Sequence, residues 1–165
     1  EIAAWEPTMG DWTNHLSTLF PDVRLKRFLE MRGADGGPWR RICALPAFWV
    51  GLLYDRQALD AADALTADWS FDEVIALRNA VPAKGLNAEI AGKPLLGIAR
   101  EVLDISRTGL KNRKRLNGEG QDETVFLSSL DEVLAKKTTL AEDLLALYHG
   151  RWGGSVLPVF EEYQY

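Results

Sequence analysis

Five residues between positions 24 and 32 have types and spacing that can do chemistry. Arg24, Lys26, Arg27 and Arg32 bring four cations, and Glu30 one carboxylate, within nine residues. The stretch alternates. Arg24, Lys26, Phe28, Glu30 and Arg32 fall on one side of an extended chain, and Val23, Leu25, Arg27, Leu29 and Met31 on the other. A row of cations around a single carboxylate suits an anionic phosphate beside a divalent metal. The carboxylate is a hard oxygen ligand for magnesium. Arginine presents a planar fork of donors to a phosphoryl or carboxylate group. Together they stabilise the charge that develops in phosphoryl transfer. The same pattern fits a solvated strand face laced with ion pairs, and the spacing alone leaves both readings open.

The residues just beyond add to this. "GADGGPW" (33–39) can turn backbone N–H groups toward an anion, or simply serve a tight turn. It matches neither the P-loop nor the GxGxxG pattern. Trp39, Arg40 and Arg41 either line a ligand pocket or begin a buried helix with snorkelling arginines. "KNRKR" (111–115) has no aromatic interleaving and reads as the basic last turn of a helix, not as a nucleic-acid contact. His15 and His149 lack metal-ligand spacing. Cys43 falls in an apolar helix and reads as a buried, inert thiol.

The elements that must position these groups follow from period and punctuation. Asp11 can cap a short helix with Trp12, Leu16, Leu19 and Phe20 on its apolar side, ended by Pro21. Residues 23–32 read as one strand. A nearly all-apolar helix is predicted from about 40 to 54, bent at Pro46 and buried on most sides. A narrow stripe of Ala58, Ala61, Ala62 and Leu65 marks the next helix. "SFDE" (70–73) is a capping box that opens a helix with Val74, Leu77 and Val81 inward. "AEIAGKPL" reads as a turn or small hairpin at Gly92. Leu95, Ala99, Val102, Leu103, Ser106 and Leu110 line one side of a longer helix. "LNGEGQD" is a loop, and a helix near 124–135 follows. "TLAE" (139–142) is a second capping box, opening a helix that stops at Gly150. The chain is thus mainly helical, with one strong strand whose backbone groups need partners from elsewhere.

Composition narrows the function classes. The chain has 165 residues, 47% of them hydrophobic, and a net charge of −5. That balance argues against a general nucleic-acid or membrane binder. One cysteine allows no intrachain disulfide and fits a reducing compartment. The longest apolar run, around 42–54, is interrupted by Pro46 and is too short to span a bilayer. No basic-then-apolar leader opens the chain, and "EIAAWEP" reads as the start of a cut or processed polypeptide.

At "RLKRFLEMRGADGGPWRRICALPAFWVGLLYD" the sequence resembles the plant and proteobacterial type of glutamate–cysteine ligase, also called gamma-glutamylcysteine synthetase. The likeness continues through "AEIAGKPLLGIAREVLDISRTGL" and "YHGRWGGSV" to the terminal "EEYQY". It covers nearly the whole chain but only about the C-terminal third of the family's length.

The resemblance implies an α+β fold, predominantly helical here, as the C-terminal portion of a glutamine-synthetase-like ligase with at least one strand of its catalytic antiparallel sheet. Residues 1–165 would be a single fragment: 1–39 the helix, active-site strand and Gly-rich loop, 40–165 the helical region. The implied reaction activates the side-chain carboxylate of L-glutamate with ATP as gamma-glutamyl phosphate. The amine of L-cysteine then displaces phosphate, the first step of glutathione synthesis. Carried onto this chain, Glu30 is the expected magnesium ligand and Arg32 the catalytic cation facing the phosphoryl or glutamate carboxylate. Arg27, Trp39 and Arg40 are expected to bind substrate or phosphate. The expected partners are L-glutamate, L-cysteine, ATP and the N-terminal remainder of the same protein, with self-association through the strand edge as a further expectation. The expected location is the cytoplasm of a bacterium, and the chain alone is expected to be inactive. Two alternatives stand beside this: a related glutamate–amine ligase, and a helical interaction or regulatory module without catalytic residues.

Overall fold

The structure, a computed structural model, describes residues 6–164. The first five residues, read above as a cut end, and Tyr165 of the terminal motif lie outside the described residues. The chain divides into two compact units, Glu1–Asp35 and Gly36–Tyr165.

In the first unit, helix α1 spans Met9–Ser17. Its N-cap is Thr8, whose hydroxyl accepts from the Asp11 N–H at 3.2 Å, while the Asp11 carboxylate accepts from the Thr8 N–H at 2.8 Å. Asp11 is therefore the third residue of a capping box, not the cap itself; a carboxylate in the first turn also complements the helix dipole. The predicted single strand over 23–32 is a hairpin instead. Strand β1 (Val23–Leu25) pairs antiparallel with β2 (Leu29–Met31), placing Arg24 opposite Glu30 and Leu25 opposite Leu29. The Lys26 N–H donates to the Phe28 carbonyl at 2.9 Å and the Arg32 N–H to the Asp22 carbonyl at 2.8 Å. The strand thus finds one partner within itself, and a tight reversal at 26–28 supplies it. None of the residues of these three elements is buried.

The second unit is helical. Helix α2 (Trp39–Leu53) runs through Pro46 without a break. It is not buried on most sides: Ala44, Ala47, Gly51 and Leu52 are covered, while Trp39, Ile42 and Pro46 are exposed. α3 (Arg56–Thr66) starts at Asp55, whose side chain accepts from the Ala58 N–H. α4 (Phe71–Lys84) opens with the Ser70–Glu73 capping box, but Val74 and Val81 on its expected inward face are exposed. The predicted hairpin at Gly92 is present as β3 (Glu89–Ile90) and β4 (Lys93–Pro94).

α5 (Leu95–Arg113) is the central helix. Leu103 and Leu110 pack with Ala47 of α2 and with Leu127 to form the core, flanked by Phe48, Val50, Leu130 and Leu134. α2 and α5 approach through small residues. A methyl group on Gly109 would lie 1.9 Å from the Gly51 carbonyl oxygen, so neither position tolerates a side chain without moving backbone. The buried Ser106 hydroxyl donates to the Phe48 carbonyl at 2.8 Å, so this polar group at the crossing is satisfied.

The helix predicted near 124–135 is two pieces, a 3-10 turn (Glu123–Leu127) and α6 (Ser128–Lys136). α7 (Leu140–His149) begins with the Thr139–Glu142 capping box and ends at Gly150, as the pattern implied. Gly153 and Gly154 then take positive φ values of 56° and 81°, a reversal that side chains resist. It returns the chain to α8 (Val159–Glu162), which sequence reading missed. The Trp152 indole N–H donates to Glu162 at 3.0 Å, and Arg151 pairs with the same carboxylate. No helix among the described residues is long and apolar enough to cross a membrane. The fold is mostly helical with two small antiparallel sheets.

Candidate phosphate- and metal-facing site

Register decides which side chains meet. Direct partners in an antiparallel pair share a face, and alternate residues return to it. The charged set of the hairpin therefore clusters on one face around Glu30. Its Oε2 lies 3.6 Å from Arg24 Nε, 3.6 Å from Lys26 Nζ and 4.0 Å from Arg32 Nη1. The Glu30 side chain retains 33% of its exposure.

These contacts are loose. Glu30 Oε2 and Arg24 Nε are both shielded from solvent, and neither has a hydrogen-bond partner. A carboxylate settled into a structural ion pair closes to about 2.8 Å with a bidentate arginine. Glu30 instead stands among three cations without closing on any of them, and the cluster keeps an excess of positive charge. Such a cluster can take an anion. The Glu30 carboxylate is a hard oxygen donor of the kind that a cation arriving with that anion would use.

Two residues that sequence reasoning did not assign hold the cations in place. Arg24 donates to the Leu19 carbonyl at 3.0 Å, and the Arg32 guanidinium lies 4.9 Å from the centre of the Phe20 ring. The segment after α1 is thus the support of the site. No periodic signal marks it, because a carbonyl and a ring face recognise a guanidinium whatever the local pattern. The Lys26 ammonium lies 5.9 Å from the Phe28 ring centre. Arg27 falls in the exposed reversal between the strands.

Trp39 and Arg40 belong to the second unit, at the first turn of α2. Trp39 is 68% exposed. Arg40 is ion-paired to Glu132 of α6. Its neighbour Arg41 is held below the usual arginine range by burial, then by the charge of Arg40; its Nε has no hydrogen-bond partner. α2 has no capping side chain and no acid in its first turn.

Among the described residues no three His, Cys, Asp or Glu side chains converge on a metal-sized point. Cys43 is a half-buried free thiol rather than a fully buried one. The basic stretch at 111–115 is taken up by structure. Lys111 and Arg113 stand in the last turn of α5, and Arg113 bonds Glu123 at 2.8 Å while lying 5.7 Å from the Tyr54 ring centre. The Glu123 hydrogen bond raises the Arg113 pKa further above its ordinary value.

Residues 4–162 match the sequence profile of glutamate-cysteine ligase family 2. The chain is 53% identical over 159 residues to a protein of Nicotiana tabacum named glutamate–cysteine ligase, chloroplastic, covering 96% of this chain and 29% of that protein. Against the Arabidopsis thaliana protein of the same name the identity is 54%, with 96% and 29% covered. Against the chloroplastic glutamate–cysteine ligase A of Oryza sativa subsp. indica it is 50%, with 96% and 31% covered. The chain spans about three-tenths of the length of these curated relatives. Their chloroplastic names overturn the expectation of a bacterial cytoplasmic enzyme. That expectation leaned on the lack of a leader at Glu1, and the start of this chain carries no such information.

Proposed function

The chain belongs to glutamate-cysteine ligase family 2, and on that premise we propose that, within a family-length protein, it supplies the phosphate-facing hairpin of an ATP-dependent ligase. The ligase joins the side-chain carboxyl of L-glutamate to the amine of L-cysteine, in a glutamine-synthetase-like fold. One observation carries this reading: Glu30 Oε2 lies within 3.6–4.0 Å of three cations and bonds to none of them.

The residues fit magnesium only in company. Three cations within 4.0 Å of Glu30 would repel a bare divalent ion. They favour one that arrives on nucleotide phosphates, whose charge offsets theirs. The Glu30 carboxylate would be one hard oxygen ligand for an ion delivered in that way. When bound, magnesium neutralises phosphate charge and aligns the transferring group.

The chain's own residues do the rest. Arg32, braced on Phe20, offers its fork to the transferring phosphoryl group or to the glutamate carboxylate. Arg24, tethered to Leu19, keeps the local field positive without swinging away. Lys26 adds a point charge at the rim. Arg27 and the exposed Trp39 are assigned to substrate contact, and Arg40 to the same task while shared with Glu132. A glutamate side-chain oxygen attacks the terminal phosphorus of ATP and ADP leaves. The cysteine nitrogen attacks the acyl carbon, phosphate departs, and the amine loses a proton. Catalysis of this kind is positioning plus electrostatics, so the chain alone is inactive.

The test uses a chimera in which this chain replaces the matching segment of the tobacco relative. ADP release that depends on glutamate, cysteine and magnesium is expected, and Glu30→Gln lowers its rate about 10²–10³-fold, the cost of losing one charged electrostatic stabiliser. Near-normal turnover by that variant at limiting magnesium overturns the assignment of Glu30. Turnover with another amine in place of cysteine moves the reading to a related glutamate–amine ligase.

A further inference from the structure

The loop after α5 carries a reactive dipeptide that the ligase reading does not use. In "LNGEGQD" (116–122), Asn117 stands directly before Gly118. Asparagine is among the chemically labile residues. Its side-chain carbonyl carbon can be attacked by the backbone nitrogen of the residue that follows. Glycine in that place has no side chain to shield the nitrogen and little restriction on its approach. A bond forms between Gly118 N and Asn117 Cγ, and the bond from Cγ to Nδ2 breaks. The proton of the Gly118 N–H ends on the departing nitrogen, which leaves as ammonia. Water then opens the five-membered imide at either carbonyl, giving aspartate or isoaspartate. Nothing is oxidised or reduced.

Residues 114–121 are all exposed, so water and base reach this site. The Asn117 side chain is nevertheless held. Its Oδ1 accepts from the Glu119 N–H at 2.9 Å and from the Gln121 N–H at 3.0 Å, and its Nδ2 donates to Gln121 Oε1 at 3.0 Å. The backbone closes around the same residue. The Asn117 N–H donates to the Gln121 carbonyl at 2.9 Å, the Gly120 N–H donates to the Asn117 carbonyl at 3.1 Å, and Leu116 bridges to Asp122. Ring closure is incompatible with these bonds. It draws Cγ onto Gly118 N, turns Oδ1 away from the two N–H groups beyond, and takes Nδ2 from Gln121. A reaction that needs one attack geometry is slow when the ground state is held in another.

We infer that Asn117–Gly118 is a latched site of spontaneous deamidation. The loop's own hydrogen bonds hold the amide out of reaction, and the amide is lost from chains in which the loop has opened. The change runs one way. Isoaspartate carries an extra atom in the main chain, and aspartate has no donor in place of Nδ2, so neither product rebuilds the latch as it was. The site is well placed for such a change to be felt. Asp122 caps the Thr124 N–H at 3.0 Å, Glu123 bonds Arg113 at 2.8 Å, and Leu127 is buried in the core with Leu103 and Leu110. Deamidation therefore marks opening of the connection between α5 and the 3-10 turn.

The experiment is peptide mass spectrometry of this chain aged in mildly alkaline buffer, folded and in urea, following the amide-to-acid mass change at Asn117. The folded chain is expected to convert several-fold more slowly than the same chain in urea. Gln121→Ala removes the acceptor of Nδ2. It should speed conversion of the folded chain about three- to tenfold, the weight of one net hydrogen bond, and should match the parent in urea. Gln121→Glu keeps an acceptor in that place and should age like the parent, which separates the latch from a general loosening of the fold. At Gly118 an added methyl meets nothing within 4 Å. Gly118→Ala should therefore leave the loop folded and slow conversion several-fold in urea, because the attacking nitrogen is then shielded. Equal rates for the folded parent and the parent in urea overturn the inference. So does a folded Gln121→Ala chain that ages no faster than the parent. A Gly118→Ala chain that ages at the parent's rate in urea also overturns it, for then the amide is lost by direct hydrolysis and not through Gly118.

Discussion

Arg24 and Glu30 stand directly opposite each other across β1 and β2, yet Arg24 Nε stops 3.6 Å from Glu30 Oε2. Cross-strand partners of opposite charge ordinarily add to hairpin stability. Here the Arg24 guanidinium is drawn aside to the Leu19 carbonyl at 3.0 Å, and Glu30 is left facing three cations at once.

It follows that Glu30 contributes little to folding. A partly exposed ion pair that does not close is worth about 0–1 kcal/mol. Glu30→Gln in this chain should leave amide exchange at Arg32, whose N–H bonds Asp22, within a few-fold of the parent. Melting of the hairpin by this substitution would make Glu30 a structural partner and return its face to the solvated reading.

The α2–α5 crossing predicts a sharp contrast between two glycines of one helix. At Gly109 an added methyl meets the Gly51 carbonyl oxygen at 1.9 Å, a backbone atom that cannot step aside. Overpacking typically costs about 1–3 kcal/mol, and Gly109→Ala belongs at the top of that range or beyond it. At Gly97 nothing lies within 4 Å. Gly97→Ala should stabilise by about 0.4–1 kcal/mol through lost freedom in the unfolded chain. Urea melts of both variants check the pair; equal effects would mean that the helices are not in contact there.

The capping boxes set an acid limb on stability. Glu73 is held below its usual range first by the Ser70 side chain, then by the Ser70 backbone N–H. Glu142 is held down first by the Thr139 backbone N–H, then by its side chain. A carboxylate whose pKa is lower folded than unfolded stabilises above its unfolded pKa. That stabilisation drains as pH falls through the folded value. Ser70→Ala and Thr139→Ala should each cost about 1 kcal/mol near neutral pH. They should cost less at acid pH, once pH has fallen through the folded values and protonation has weakened both boxes. Melting curves at the two pH values read this directly, and a cost independent of pH would detach the carboxylates from the caps.

Parts of this were legible in the sequence, for definable reasons. Both S/T-x-x-E boxes are local patterns whose partners are three residues apart, and both formed. The division of residues 23–32 into a charged and an apolar face survived although the strand was read as continuous. Arg24 pairs with Glu30 and Leu25 with Leu29, so partners differ by an even number and the reversal preserves the alternation. The turn itself was hidden because Lys26, Arg27 and Phe28 include none of the Gly, Pro, Asn or Asp residues that mark turns. The Leu19 and Phe20 braces on the arginines were also hidden. So was α8, whose place depends on Trp152 reaching Glu162 after two glycines in left-handed conformations. These contacts have no period, and period is what a single sequence displays.

The last expectation separates the two principal residues of the site. In the chimera, Glu30→Gln keeps side-chain shape and a neutral oxygen but removes the charge that a metal ligand needs. Raising magnesium should therefore recover part of the lost ADP release. Arg32→Lys keeps a positive charge but replaces a planar fork with a point charge. It also weakens the stacking on Phe20, now at 4.9 Å, that sets the direction of the fork. Extra magnesium supplies neither geometry nor orientation, so this variant should stay slow at every magnesium concentration, with the loss in kcat more than in KM for magnesium-ATP. Phe20→Leu tests the brace by itself. It should lower kcat in the same direction and by less, because the arginine remains while its orientation loosens. Rescue of Arg32→Lys by magnesium would show that only charge matters there. Lack of rescue for Glu30→Gln would mean that its carboxylate orients the cations instead of meeting the metal.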